Sequence, residues 1–80
     1  MPTTGSRNSW VKAAEVNAVR AAVIHKLRDQ WWTPEEVASA LNLPLPMVQH
    51  WWTTDAEKLT WTPAMKAQYG KYMVQIDLHG

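Results

Sequence analysis

The chain has no cysteine and no phenylalanine, only three glycines, and no apolar run near the ~18 residues that a membrane span needs. Without cysteine, neither a disulfide framework nor a thiolate metal site can reinforce the fold. The three histidines, His25, His50 and His79, are too scattered to read as a metal site from local spacing. No signal-peptide pattern opens the sequence, so a soluble cytoplasmic protein is the expectation. The marks of an enzyme are missing too. There is no Ser nucleophile with a paired base, no metal-ligand cluster and no Gly-rich loop to cradle a phosphate. Neither a catalytic residue nor a cofactor, metal or small-molecule substrate is expected.

What is present fits one small domain. Of the 80 residues, the first eight lack apolar periodicity and read as a disordered tail, leaving 9–80 as a single folded unit. A core that small supports a stability of only a few kcal/mol. Its aromatic volume comes from six tryptophans and two tyrosines. So short a chain cannot bury every indole, and each buried N–H needs an acceptor. Most are expected to fill the core. Trp31 and Trp52 are the candidates for contact with a protein partner.

Net charge is +1, but it is unevenly distributed. Residues 1–32 carry +3, from Arg7, Lys12, Arg20, Lys26 and Arg28 against Glu15 and Asp29. Residues 33–57 carry −4, with Glu35, Glu36, Asp55 and Glu57 and no Lys or Arg. Residues 58–80 carry +2, from Lys58, Lys66 and Lys71 against Asp77. Any surface for nucleic acid in the middle of the chain must therefore draw its positive charge from the flanks.

The patterning is helical throughout most of the chain. Ser9 can cap a long helix from about Trp10 to Gln30, with Val16, Val19, Val23 and Leu27 as its core stripe and Ala13 and Ile24 beside it. His25 and Asp29 stand four apart, the spacing of a surface pair. Thr33-Pro34-Glu35-Glu36 is a capping box with proline at the first helical position. Trp32 and Val37 bracket it as a hydrophobic staple. This second helix should end near Leu41, because Asn42 tolerates the left-handed turn. Pro46 must lie in the first turn of a third helix that runs to about Thr53. Neighbouring helical residues point about 100° apart, so of Trp51 and Trp52 only one fits the buried stripe. Trp51 is assigned to it.

The C-terminal third is less decided. Thr54-Asp55-Ala56-Glu57 is a capping box that would open a short helix through Leu59. Thr62-Pro63 repeats the cap-then-proline signal, and Met65, Tyr69, Tyr72 and Met73 follow at helical spacing. Tyr72, Val74, Ile76 and Leu78 also alternate as a strand would, and Leu59-Thr60-Trp61 could pair with them in a hairpin. A helix from Pro63 to about Tyr72, followed by an extended tail, is preferred. The expected class is all-α.

From Pro34 to Thr53 the residues resemble the helix-turn-helix superfamily of bacterial and phage regulators. Apolar Val37, small Ala38 and apolar Leu41 come before Asn42 at the turn. Leu43, Val48 and Trp51 then form the seam that sets the angle between the two helices. The likeness covers about a quarter of the chain. Where the family usually has glycine at the turn this chain has Asn42, and where it often has polar residues this chain has Pro44, Leu45, Pro46 and Met47.

The resemblance implies a small DNA-binding protein: a transcriptional regulator, an excisionase-like factor, or a DNA-packaging factor of a phage or mobile element. In it Leu45, Gln49, His50, Thr53 and Thr54 would touch double-stranded DNA. Lys58, Arg7 and the basic residues of the first helix would hold phosphates. A homodimer would supply the charge that one copy lacks. The alternative is a protein-interaction module on the same scaffold, docking a partner through Trp52, Trp31 or Leu45.

Overall fold

In a computed structural model the protein is all-helical, with no strand among the described residues. The backbone is described for residues 2–79 and the side chains for residues 13–79. Helix α1 spans Pro2–Asp29, α2 Pro34–Leu41, α3 Leu45–Thr53 and α4 Pro63–His79. Helix α1 begins at Pro2 and not near Trp10, so residues 2–8 belong to its backbone and Ser9 lies inside it instead of capping it; the side chains of Arg7, Ser9 and Trp10 lie outside those described.

The helices begin and end where local chemistry requires. Thr33 caps α2 through its hydroxyl, which accepts from the Glu36 N–H at 3.2 Å. The Glu36 carboxylate accepts in turn from the Thr33 N–H at 2.9 Å, completing the capping box. Asn42 closes α2 in the left-handed region, at φ 55° and ψ 47°. Beyond it the Leu43 N–H reaches back to the Ala38 carbonyl at 3.0 Å. Helix α1 ends in the same way. The Trp32 N–H bonds the Leu27 carbonyl at 3.1 Å and the Trp31 N–H bonds that of Arg28 at 3.0 Å. Here the left-handed residue is Trp31, at φ 70°, where glycine is the usual choice.

The core lies where the four helices meet. Val19, Val23, Ile24 and Leu27 of α1 pack with Val37 and Leu41 of α2, Val48 of α3, and Met65 and Ile76 of α4. Trp32, Ala38, Leu43, Trp51, Trp52, Trp61 and Tyr69 lie half-buried against this cluster. Tryptophan thus forms the wall of the core, while β-branched and aliphatic residues fill it. Val16 is half-buried and Ala13 exposed, so the stripe of α1 is described as buried only from Ala18 onward.

Four further expectations need correction. Residues 72–79 are neither strand nor extended tail, since α4 continues to His79. Ile76 explains why: with Met65, Tyr69, Tyr72 and Met73 it completes one helical stripe, and burying it in the shared core outweighs the alternating pattern. Arg20 of α1 fixes that stripe by donating to the Tyr72 hydroxyl at 3.2 Å. Residues 54–62 form no helix despite the capping box, because a helix of five or six residues cannot repay its own nucleation. Their apolar side chains Ala56, Leu59 and Trp61 pack on the core instead, and Trp61 meets Tyr69 edge-on at 5.5 Å. Trp51 and Trp52 do not divide into core and surface. Both are half-buried, and Val48 is the fully buried residue of α3. His25 does not pair with Asp29, because its ring turns toward α3; Asp29 accepts from Arg28 at 3.3 Å.

Helix α4 starts on a variant of the capping box. The Thr62 hydroxyl accepts from the Met65 N–H at 3.2 Å, while the Met65 sulfur takes the place of a carboxylate opposite the Thr62 N–H at 3.4 Å. Gly70 lies inside this helix with a negative φ. A glycine there costs roughly 1 kcal/mol relative to alanine.

Candidate functional site

Helix α3 is short, and its C-terminal end is tied to α1. At its N-terminus the Pro44 carbonyl accepts from the N–H groups of Met47 and Val48, at 3.1 and 3.2 Å. Pro46 has no N–H to satisfy, so two prolines start the helix without a side-chain cap. At its C-terminus, where the last carbonyls lack partners inside the helix, α1 supplies donors. His25 Nε2 lies 2.6 Å from the Trp51 carbonyl and Arg28 Nη1 lies 2.7 Å from the Trp52 carbonyl. A ring nitrogen that close to a carbonyl carries a proton, so His25 Nε2 donates to the Trp51 carbonyl, and Nδ1 turns toward the Asp55 carboxylate 3.8 Å away. The Arg28 cation also meets the negative end of the α3 dipole.

This anchoring decides which face of α3 is free. With Val48 buried and Trp51 and Trp52 packed on the core, the exposed residues are Pro46, Gln49, His50 and Thr53. They recur at three- and four-residue steps and so form one continuous stripe about 10 Å long. The His50 ring stands edge-on to Trp51, with centroids 4.7 Å apart, which steadies the middle of the stripe. The stripe offers an amide, an imidazole and a hydroxyl, and no fixed charge. It can exchange hydrogen bonds with a polar surface and has no nucleophile–base pair for covalent chemistry.

Of the expected DNA contacts, Gln49, His50 and Thr53 thus lie together on one exposed face. Leu45 and Thr54, at the two ends of α3, are each half-buried. Lys58 is exposed in the α3–α4 loop. There it lines a groove of about 470 Å³ with Ala18, Ala22, His25, Asp55 and Leu59. Of the basic residues of α1, Lys26 is exposed, while Arg20 and Arg28 are engaged with Tyr72 and with the end of α3. Of the expected partner contacts, Trp52 is half-buried and Trp31 is 93% exposed.

The tether between α1 and α3 escaped sequence reading. Its only trace is two basic side chains three residues apart on α1, a spacing too common to single out. Among the described residues, no helix is long and apolar enough to cross a membrane. Comparison with protein-family models, curated proteins and solved structures found no match.

Proposed function

We propose that α2 and α3 act as a helix-turn-helix unit and that the protein binds double-stranded DNA by laying the outer stripe of α3 in the major groove. The observation that carries this reading is the exposed, hydrogen-bonding stripe Gln49–His50–Thr53 on a helix whose C-terminal end is anchored to α1. An α-helix fits the major groove, Gln can pair bidentately with adenine, and the Thr methyl can pack on a thymine methyl. Prolines at the N-cap and the second position of α3 leave the body of the helix, rather than its N-terminus, to read bases. The resemblance of residues 34–53 to bacterial and phage regulators supports a regulatory, excisionase-like or DNA-packaging role.

Fluorescence anisotropy with random and genomic duplexes at low salt tests this. Saturable binding should weaken at least tenfold in the Gln49→Ala/His50→Ala variant. Wild-type binding that the double substitution leaves unchanged would remove the stripe from the interface.

A second reading, docking of a protein partner, is favoured by Trp31. A tryptophan almost fully in water leaves an apolar ring free for a partner, its left-handed backbone suits glycine better, and such backbone outliers cluster at functional positions. If no duplex binds at any protein concentration, this reading takes precedence.

A further inference from the structure

The face of α4 turned away from the core is apolar as well. At about 100° per residue, Ala67, Gly70, Val74 and Leu78 lie within roughly 40° of one line along the helix. All four are exposed, with Val74 at 57% and Leu78 at 84%. Among the described residues nothing requires Gly70. Its φ is ordinary, and a Cβ built on it would meet nothing within 4 Å. Glycine nevertheless ranks just above proline as a helix former. An element from outside the monomer that approached the backbone closely at this point would make use of the missing side chain.

The layout of the face specifies that element. Small residues (Ala67 and Gly70, with Ala64 at one margin) occupy its N-terminal half and large ones (Val74 and Leu78) its C-terminal half. A second α4 running antiparallel, with the two-fold axis between residues 71 and 72, sets large against small throughout. Each Val74 then lies over the gap between Ala67 and Gly70 of the other copy, and each Leu78 lies over Ala64 and Ala67. At that position α1 and α4 leave a groove of about 480 Å³ lined by Val16, Ala64, Met65 and Ala67, with Glu15 and Lys71 also on its walls. In the same register Lys66 of one copy faces Asp77 of the other along one margin, twice by symmetry. The two Lys71 side chains approach along the opposite margin, where each shares its groove with a Glu15 carboxylate.

We propose that this face is a self-association surface on which a second copy of the chain docks antiparallel, α4 against α4, with Leu78 of each seated in the α1–α4 groove of the other. The interface is one helix pair, small beside the ~800 Å² per partner of a standard interface, so the dimer dissociates on dilution. It stands independently of the DNA reading.

Sedimentation velocity on the full chain, across about a hundredfold concentration range reaching high micromolar, measures the equilibrium. The mass should rise from monomer toward dimer. Leu78→Glu and Gly70→Gln each change an exposed position and should weaken association at least tenfold while leaving the circular dichroism of the dilute protein helical. Lys66→Asp and Asp77→Lys should each weaken it, and the double exchange Lys66→Asp/Asp77→Lys should restore it. That rescue separates antiparallel pairing from nonspecific stickiness. A wild-type protein that stays monomeric at the top of the range overturns the proposal, as does an association that none of these substitutions changes. Loss in both charge variants without rescue in the double exchange overturns the register.

Discussion

Trp31 and Asn42 occupy the same kind of position, the left-handed residue that closes a helix, and they differ in how well they suit it. Asn tolerates that conformation because its short polar side chain can bond locally, whereas for tryptophan the crowding of Cβ is uncompensated. Trp31→Gly should therefore raise stability by up to about 1 kcal/mol, read from the urea midpoint. A loss instead would show that the indole has a role in the folded monomer. At Thr33 the side chain carries half of a reciprocal cap. Thr33→Ala should cost about 1 kcal/mol, which in so small a domain lowers Tm by roughly 4–8 °C in a thermal melt. The cap was legible from four consecutive residues, because a capping box is local chemistry. The turn at Trp31 was not, because its signal is an absence: no glycine stands where one would have marked it.

Among the elements, α3 depends most on its neighbours. Nine residues make a poor helix alone, and two of its closing carbonyls rely on donors from α1. Arg28→Ala strips the Trp52 carbonyl of its charged partner and should cost about 1–3 kcal/mol by chemical denaturation, more than an ordinary surface arginine. Ala38, half-buried where α2 packs on the core, tests the crossing of α2 and α3. Ala38→Leu should overpack it and lose about 1–3 kcal/mol; an unchanged melting temperature would mean that the helices can part without penalty. In α4, Gly70→Ala measured on dilute protein should stabilise by roughly 0.5–1 kcal/mol, since none of the described residues crowds the added methyl. The bounds of α2 and α3 agree with sequence reading to within a residue or two, because caps and prolines mark them. The C-terminal extent of α4 does not, because Tyr72-Met73-Val74-Gln75-Ile76 satisfies strand and helix patterns alike.

For the whole molecule, the distribution of charge limits what it can bind. One copy presents few lysines, and Arg20 and Arg28 are held in internal hydrogen bonds. If the protein binds duplex DNA, each copy should neutralise only about two or three phosphates. The logarithm of the binding constant should then fall with the logarithm of salt at a slope near −2 to −3, at about 0.9 per phosphate. A titration series across salt concentrations reads this directly, and a slope near −8 would require a basic surface that the described residues do not form.

By itself the sequence determined the all-helical class, the caps and turn of α2, the proline start of α3 and most of the core, since each follows from residues within one or two turns of one another. It also determined that Gln49, His50 and Thr53 share a helical face, which spacing alone ensures. The tertiary structure decided the rest. Whether that face is free depended on Val48 being buried and on His25 and Arg28 reaching the end of α3. Whether residues 72–79 coil or extend depended on a core waiting for Ile76, and whether Thr54–Glu57 caps a helix depended on Leu59 and Trp61 finding that core first. Such outcomes are set by contacts between distant parts of the chain, where burial of apolar surface outweighs local preferences of a few tenths of a kcal/mol per residue.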